Sequence, residues 1–353
     1  MIEILKSAIQ QGASDIHIKA GDYVRARLKG DLVPISRQQL TPDQVRQLAM
    51  RLIPQWDRDR IDDLRDYDCS WGAPGLGRFR INLLRQRGTL GIVMRVIPIE
   101  IPRLEQLNLP PVLTRIADSE RGLVLVTGVT GSGKSTTLAA MIGHINRTKR
   151  KHIITLEDPI EFLHRDNLSS ITQREVGTDT ESFATGLRAA LREDPDAILV
   201  GEMRDTETID TAIKAAETGH LVFSTLHTQN AVQTISRIVA VFPPEEQEIV
   251  RVRLSETLVA VISQRLLPRK DGAGRIAACE IMITTAAIRE CILNPERTEE
   301  IFELIAEGRE TYGSQTFDQH LMELVSSGIV EYEVAKAAAN NPSDFELKMK
   351  TLA

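Results

Sequence analysis

The 353-residue sequence is poor in cysteine and in aromatic residues, and it has no long apolar run. Its three cysteines are widely spaced and form no CxxC pair, which argues against disulfides or a cysteine zinc site and favours a reducing cytosol. Its apolar runs are far shorter than the ~20 residues that a membrane helix needs. The first segment, MIEILKSAIQQ, lacks the basic and apolar regions that are typical of a signal peptide.

An excess of basic residues is also absent. The net charge of -6 argues against a nucleic-acid coat protein, and an aromatic content of 4% leaves few rings to stack on bases. The apolar fraction of 42% and the charged fraction of 26% are typical of a globular protein, and the length suffices for two or three domains.

Two different strand patterns divide the chain. Residues 1–98 contain short strand candidates separated by hairpin signals, which predict a small α/β domain with a mostly antiparallel sheet. The proline-containing stretch 99–121 is interpreted as a linker. From 122 to 353, apolar strands such as GLVLVT, HIITLE, AILV and LVFSTL alternate with helices and predict a parallel sheet covered on both faces. Helices are predicted to dominate after Pro243, apart from one strand candidate, RIAACEIMI.

The segment GVTGSGKS, residues 128–135, matches the phosphate-binding motif G-x-x-x-x-G-K-[ST]. It follows a strand and opens a helix, so its backbone N–H groups and the helix dipole are predicted to surround a phosphate. Lys134 is expected to reach the β- and γ-phosphates, and the Ser135 hydroxyl to bind Mg²⁺. The predicted nucleotide-binding set is Thr130, Gly131, Ser132, Gly133, Lys134, Ser135 and Thr136.

This loop by itself is compatible with a kinase, a GTPase or a motor. No guanine-binding NKxD motif follows it, which favours ATP over GTP.

Further polar residues lie next to predicted strands. ITLEDPIEF places Glu157 and Asp158 at a strand end, AILVGE places Glu202, and TGHLVFSTLHT places His220 and His227 on either side of a strand. Since ligands bind at the carboxyl ends of parallel strands, Glu157, Glu202 and His227 are predicted to converge near Lys134. Each also has a purely structural interpretation, such as a capped turn or a histidine satisfied by its neighbours.

The position after the apolar run AILV is Gly201, where nucleotide hydrolases usually have an aspartate that holds magnesium. Because Ser135, phosphate oxygens and waters supply much of the magnesium shell, Glu202 is predicted to orient or deprotonate the attacking water. Glu157 and Asp158 are then predicted to hold magnesium-bound waters. The alternative is that Glu202 itself replaces the aspartate as a magnesium ligand.

A basic segment lies in the first domain. Residues 75–99 contain no Asp or Glu, and arginines at 78 and 80 alternate with apolar residues along GRFRINLL. The segment is interpreted as a solvated basic face, as a nucleic-acid channel, or as an anion site. In the last case its arginines would reach the ATP γ-phosphate from another domain or subunit.

Together these motifs resemble the secretion ATPases of type II secretion and type IV pili, over nearly the whole chain. The segments that carry the resemblance are ASDIHI, GVTGSGKST, TLEDPIEF, ALREDPDAILVGEMRD, KAAETGH and STLHT. The resemblance implies a PAS-like N-terminal domain joined to a RecA-like P-loop ATPase domain with a helical C-terminal region. It also implies a homo-hexameric ring in which the N-terminal domain of one subunit meets the ATPase domain of the next.

The same resemblance implies residue roles. Glu202 corresponds to the catalytic glutamate of the family, Arg80 and Arg95 to its arginine pair, and His220 and His227 to its His box.

Within this family the chain is most similar to pilus retraction motors. Extension and secretion motors usually carry an extra N-terminal domain and a four-cysteine metal motif, and neither is found here. The segment AIRECILN, residues 287–294, resembles a motif linked to retraction, with Ile288 and Ile292 at helical spacing. The resemblance implies a cytoplasmic ATPase, peripheral at the inner membrane, that uses ATP and Mg²⁺.

The implied partners are the membrane platform protein and paralogous pilus ATPases, without nucleic acid. An accessory retraction motor, an extension or secretion ATPase, a nucleic-acid translocase and a small-molecule phosphotransferase remain as alternatives.

Overall fold

The computed structural model describes residues 2–73, 75–98 and 100–352, and the chain forms two compact units. The first consists of Met1–Glu100 and Glu161–Leu163, and the second of Ile101–Ile160 and His164–Ala353. Each unit combines a β-sheet with helices, which confirms the α/β class.

The first unit is built on a six-stranded sheet with the order β3-β2-β1-β6-β5-β4, and all neighbouring strands are antiparallel, as predicted. Its elements are α1 (Ile2–Gln10), β1 (Asp15–Lys19), β2 (Tyr23–Leu28), β3 (Asp31–Gln39), α2 (Pro42–Leu52), the 3₁₀ helix Gln55–Arg60, β4 (Asp66–Ala73), β5 (Gly77–Gln86) and β6 (Thr89–Ile97).

The two faces of this sheet differ in chemistry. On β5, Phe79, Ile81 and Leu83 are buried in the core of the unit. Because side chains alternate along a strand, Arg80 projects from the opposite face and is exposed. The apolar face and the guanidinium face predicted from GRFRINLL are therefore both present.

The second unit is built on a seven-stranded sheet with the order β13-β12-β7-β11-β10-β8-β9. Its first elements are α3 (Val112–Ala117), β7 (Gly122–Thr127), α4 (Lys134–Thr148), β8 (His152–Glu157), β9 (Ser170–Glu175), α5 (Phe183–Ala190), β10 (Ala197–Val200), α6 (Thr206–Glu217), β11 (Leu221–Leu226) and α7 (Ala231–Ala240). They are followed by the 3₁₀ helix Pro244–Glu246, α8 (Gln247–Thr257), β12 (Leu258–Pro268), β13 (Arg275–Ile283), α9 (Ala286–Leu293), the 3₁₀ helix Pro295–Glu300, α10 (Ile301–Glu307), α11 (Arg309–Tyr312), α12 (Phe317–Ser326), α13 (Tyr332–Ala338) and α14 (Pro342–Leu352).

All neighbouring pairs from β12 to β9 in this sheet are parallel, and only β12 and β13 pair antiparallel. Every residue of β7, β10 and β11 is buried, which explains their continuous apolar sequences. The carboxyl ends of these three strands therefore lie along one edge of the sheet. No helix within the described ranges is both long enough and apolar enough to cross a membrane.

The prediction of a single strand after Pro243 is wrong. RIAACEIMI is the strand β13, as predicted, but β12 precedes it. Helix α8 passes into β12 with no glycine or proline between them, and the apolar spacing of LVAVISQRLL fits a helix or a strand. This segment forms a strand because it pairs with β7 on one side and with β13 on the other. The strands β4 and β9 were not predicted either.

Candidate active site

The phosphate-binding loop connects β7 to α4, as its motif predicts. Gly128 in this loop has a φ of +139°, and the space around it is too small for a side chain. A Cβ at Gly128 would lie 2.5 Å from the Gln264 carbonyl oxygen and 2.6 Å from the Ser132 hydroxyl. The loop is therefore compressed against β12, a strand that the sequence did not predict.

The Lys134 side chain turns back into this loop. Its ammonium donates hydrogen bonds to the carbonyl oxygens of Gly128, at 2.8 Å, and Val129, at 3.2 Å. Burial lowers the pKa of Lys134, and the negative charge of Glu202 offsets part of this effect. The loop thus holds a fixed, nearly buried cation at the carboxyl edge of the sheet.

The remaining predicted nucleotide ligands lie in the same loop and in the first turn of α4. The Ser132 hydroxyl is buried and has no hydrogen-bond partner among the described residues. Thr130, Gly131 and Ser135 are exposed, and Ser135 lies in the first turn of α4. A buried donor without a partner, a fixed ammonium and an accessible hydroxyl fit a phosphate group with its magnesium ion.

The described residues contain no cluster of three or more His, Cys, Asp or Glu side chains able to hold a metal.

Glu202 follows β10 at the same edge, and the structure brings it together with His227 at the end of β11. The His227 Nε2 atom lies 3.5 Å from one carboxylate oxygen of Glu202, and the Arg204 Nε atom lies 2.8 Å from the other. The Glu202 side chain is only 18% exposed, whereas that of His227 is 48% exposed. The carboxylate therefore has a basic side chain on either side, and its charge raises the pKa of Lys134.

The space for a side chain at Gly201, where other nucleotide hydrolases have aspartate, is tight. A Cβ at Gly201 would lie 3.2 Å from the Leu156 carbonyl oxygen and 3.4 Å from the Phe183 ring. The backbone is held there from both sides, because the Gly201 N–H donates to Leu156, at 2.7 Å, and the Thr225 hydroxyl donates to the Gly201 carbonyl, at 2.7 Å. The first carboxylate that the chain can present beyond β10 is that of Glu202.

Glu157 lies at the end of β8 and beside Gly201. A Cβ on Gly201 would be 3.5 Å from the Glu157 Cα atom. Its carboxylate accepts hydrogen bonds from Thr155, at 2.7 Å, and from Gln173, at 3.1 Å. Asp158 follows it with an exposed side chain. Both residues therefore lie at the edge that carries Glu202, and Glu157 is the more constrained of the two.

The structure does not bring His220 to this edge. His220 precedes β11 and His227 follows it, so the six strand residues separate them by about 20 Å. The His220 Nδ1 atom lies 3.0 Å from the Ala215 carbonyl oxygen and 3.2 Å from the Thr218 hydroxyl. These contacts tie His220 to the end of α6.

The predicted arginines lie in the first unit. Arg80 and Arg95 are register partners on β5 and β6, and both are exposed on one face of the sheet. The Arg95 Nε atom donates to an Asp15 carboxylate oxygen at 2.9 Å. Arg85, by contrast, donates to the carbonyl oxygens of Leu64 and Asp62 and stabilises a turn. The basic segment therefore contains at least one arginine with a structural role.

The segment AIRECILN forms most of α9. Ile288 and Ile292 are buried in the main core, whereas Arg289 and Glu290 are exposed. The helical spacing seen in the sequence therefore marks the buried face of α9, and a partner can contact only the opposite face.

Sequence reasoning missed several residues of the site. Arg204 was not singled out, although it lies only two positions after Glu202. Ser263 and Gln264 were missed because β12 was not predicted. The Ser263 hydroxyl accepts from Thr127, at 2.9 Å, and the Gln264 amide donates to Thr137 in α4, at 2.8 Å. No local signal indicated that these residues support the phosphate-binding loop.

Comparisons with known proteins agree with this geometry. The type IV pilus retraction ATPase PilT of Pseudomonas aeruginosa is 47% identical to this chain, over 97% of this chain and 99% of its own length. The type IV pilus ATPase PilU of the same organism is 40% identical, over 99% of this chain and 91% of its own length. A crystal structure of the pilus retraction motor PilT with bound ADP has a TM-score of 0.89 and 46% identity, and the match covers 98% of this chain and 99% of that one.

These matches confirm the predicted architecture of an N-terminal domain followed by a RecA-like ATPase domain. The model of the family described as type II/IV secretion system protein matches residues 1–344, and this chain belongs to that family.

Proposed function

We propose that this chain is an ATP-hydrolysing motor that powers type IV pilus retraction and hence twitching motility. The observation that carries the proposal is its 47% identity to PilT over almost the full length of both chains. The buried Lys134 in the phosphate-binding loop and the proximity of Glu202 to His227 support the proposal. The identity to PilU is lower, at 40%, so the accessory retraction role is the second candidate.

In the proposed reaction, the loop N–H groups and Lys134 hold the β- and γ-phosphates of ATP, and Ser135 binds Mg²⁺. When bound, magnesium neutralises charge that develops on the phosphate oxygens. Glu202 takes a proton from the attacking water, or orients it, and His227 and Arg204 hold its carboxylate in place. Glu157 at the end of β8 and Asp158 directly after it, at the same sheet edge, would hold magnesium-bound waters.

The arginine pair completes the proposed site. Arg80 and Arg95 are assigned to the transferring γ-phosphate, where an arginine contributes roughly 10³-fold or more in rate. His220 is assigned to the family His box, at a distance from Glu202. The proposed division of the chain is a PAS-like domain at 1–98, a linker at 99–121 and a RecA-like domain at 122–353.

The proposed assembly is a homo-hexamer on the cytoplasmic side of the inner membrane. Its proposed partners are the membrane platform protein of the pilus and paralogous pilus ATPases, and nucleic acid is not among them. ATP is the proposed substrate, with Mg²⁺ as cofactor.

The substitution Glu202→Gln tests the proposed chemistry. It keeps the size of the side chain and its ability to accept hydrogen bonds, but it removes the charge and the basicity. We expect MgATP to bind about as tightly as to the wild type and hydrolysis to slow by about 10²–10⁴-fold, the usual contribution of a positioned base. Calorimetric MgATP affinity and single-turnover hydrolysis are measured on the same sample.

The matched control is Glu207→Gln, on the exposed part of α6, where Glu207 pairs with Arg188. This control should hydrolyse ATP at the wild-type rate. If Glu202→Gln instead weakens magnesium-dependent ATP binding in parallel with turnover, Glu202 is a magnesium ligand. If binding and hydrolysis both stay normal, the carboxylate has no catalytic role.

The direction of movement is tested in cells. Deletion of the gene should give hyperpiliated cells without twitching motility, because pili are still extended but no longer retracted. Cells without pili would indicate an extension motor and would contradict the proposal.

A further inference from the structure

Asp15 belongs to a row of charged side chains on the first sheet. It begins β1, its register partner on β6 is Arg95, and the partner of Arg95 on β5 is Arg80. Residues directly opposite on neighbouring strands share a face, so the three side chains are aligned across three strands.

The Asp15 carboxylate is held in one orientation. One of its oxygens accepts from the Arg95 Nε atom, at 2.9 Å, and the other accepts from the Ser14 hydroxyl, at 2.8 Å. The backbone is fixed as well, because the Ser14 N–H donates to the Arg27 carbonyl and the Val96 N–H donates to the Ser14 carbonyl, each at 3.0 Å. Asp15 is 9% exposed, whereas the Arg95 side chain is 70% exposed. A rigid, nearly buried acceptor therefore anchors the base of a solvent-exposed guanidinium group.

The nitrogen of Arg95 that Asp15 binds determines which donors remain for a ligand. A guanidinium group has one Nε–H donor and two terminal amino groups, and phosphate is bound best by two parallel donors. Because Asp15 accepts from Nε, the terminal amino groups of Arg95 stay available for an anion.

Asp15 reduces the charge repulsion within this row. Arg80 and Arg95 are like charges on directly opposite positions, an arrangement that destabilises a sheet. Asp15 is the carboxylate between Arg95 on β6 and Arg27, its register partner on β2. Burial by itself raises the pKa of Asp15, but the hydrogen bonds from Arg95 and Ser14 outweigh it and hold that pKa below its usual value. The carboxylate is therefore ionised at neutral pH.

We infer that Asp15 is a positioning residue for ATP hydrolysis, which orients Arg95 so that its terminal amino groups face the transferring phosphate. This inference rests on the proposed function, because it acts only if Arg95 contacts the nucleotide phosphates. It adds a role for a residue in the N-terminal ASDIHI segment, 80 positions away from Arg95.

The test is a double-mutant cycle on steady-state ATP hydrolysis by the full-length protein, with Asp15→Asn, Arg95→Ala and the combination of both. Orienting residues behind a functional group typically contribute 10–100-fold at metal sites, and we expect Asp15→Asn to lower kcat by roughly 10-fold here, with little change in KM. Since Asp15 acts through Arg95, the double variant should be no slower than Arg95→Ala alone.

The matched control is Asp22→Asn. Asp22 forms a similar ion pair with Arg25, at 3.0 Å, and its side chain is 16% exposed, against 13% for Asp15. Loss of this pair should leave kcat unchanged. Trp56 and Trp71 both lie in the first unit, so their fluorescence reports whether each variant keeps that unit folded.

A second variant tests the inference without changing Asp15. Arg95→Lys keeps the positive charge, but its single ammonium cannot bind Asp15 and offer two parallel donors to a phosphate. It should hydrolyse ATP as slowly as Arg95→Ala.

The outcomes separate this inference from the proposed function. If Arg95→Ala is slow but Asp15→Asn is normal, or if their effects multiply, Asp15 does not act through Arg95 and the inference is wrong. Wild-type turnover by Arg95→Lys also overturns it. If Arg95→Ala itself hydrolyses ATP at the wild-type rate, the proposed role of the arginine fails, and the inference fails with it.

Discussion

We expect the attachment of the C-terminal helices to depend on pH through His320. It lies on α12, is 5% exposed, and accepts a hydrogen bond at its Nδ1 atom from the Cys279 N–H of β13, at 2.9 Å. Gln315, just before α12, exchanges backbone hydrogen bonds with Ile281 on the same strand. The contact therefore covers the free edge of β13, and it requires a neutral imidazole.

Burial lowers the pKa of His320 from 6.5 to about 4; the charge of Glu323 opposes this effect, and that of Arg309 adds to it. Between these two pH values, the imidazole binds a proton when α12 is detached from β13 but stays neutral when α12 is packed against it. The stability that this contact gives to the packing of α12 on β13 is therefore fully present above pH 6.5 and is lost as the pH falls toward 4. A difference of about 2.5 pKa units, at 1.36 kcal/mol each, corresponds to about 3 kcal/mol.

The perturbation is His320→Asn, which places an amide oxygen near the position of Nδ1 but does not titrate. Hydrogen–deuterium exchange is measured from pH 4 to pH 7 on peptides that cover β13 and α12, after correction for the intrinsic exchange rate. In the wild type, the protection of these peptides should fall by about 100-fold or more toward pH 4. In the variant this pH dependence should be largely absent.

Peptides from α4, in the same samples, serve as an internal reference for effects that do not arise at His320. If wild type and variant lose protection of β13 in parallel as the pH falls, another group controls the contact and the reasoning about His320 is refuted. The same conclusion follows if the wild type keeps full protection at pH 4.

Two further predictions concern the core and the surface of the second unit. Burial raises the pKa of Glu280 to about 7, and the hydrogen bond from the Ala231 N–H only partly opposes this effect, so ionisation of Glu280 costs stability as the pH rises from 4.5 to 7. Glu280→Gln should therefore leave the free energy of unfolding nearly unchanged at pH 4.5 and raise it by up to about 3 kcal/mol at pH 8. Chemical denaturation, with nucleotide binding as the signal of the folded unit, measures this difference. Equal stability of variant and wild type at pH 8 would contradict the prediction. On α9, Arg289→Ala combined with Glu290→Ala should keep normal ATPase activity in the purified protein but reduce pilus retraction in cells, because both side chains are exposed, whereas a change at Ile288 would disrupt the core. Normal retraction by this double variant would remove α9 as a contact surface.

Local sequence patterns were sufficient for the features that depend on neighbouring residues. The phosphate-binding loop was predicted because its glycines and Lys134 act within one turn between a strand and a helix. The buried and exposed faces of β5 followed from the alternation of its side chains. Glu202 was predicted at a strand end because the apolar run before it is typical of a buried parallel strand.

The tertiary structure decided the features that depend on distant segments. The strand β12 forms because β7 and β13 offer it hydrogen-bond partners, and it then supports the phosphate-binding loop through Gln264. The order of strands places His227 beside Glu202 and leaves His220 at the opposite end of β11.

The same reason accounts for the tight space at the glycine after β10 and for the pairing of Arg95. The space beside Gly201 is narrowed by β8 and by Phe183, and Asp15 reaches Arg95 only because β1 lies next to β6 in the sheet. A sequence pattern predicts the features that are set by residues close together in the chain. The pairing of strands that are far apart in the chain is set by the free energy of the whole sheet, so these contacts appear only in the folded structure.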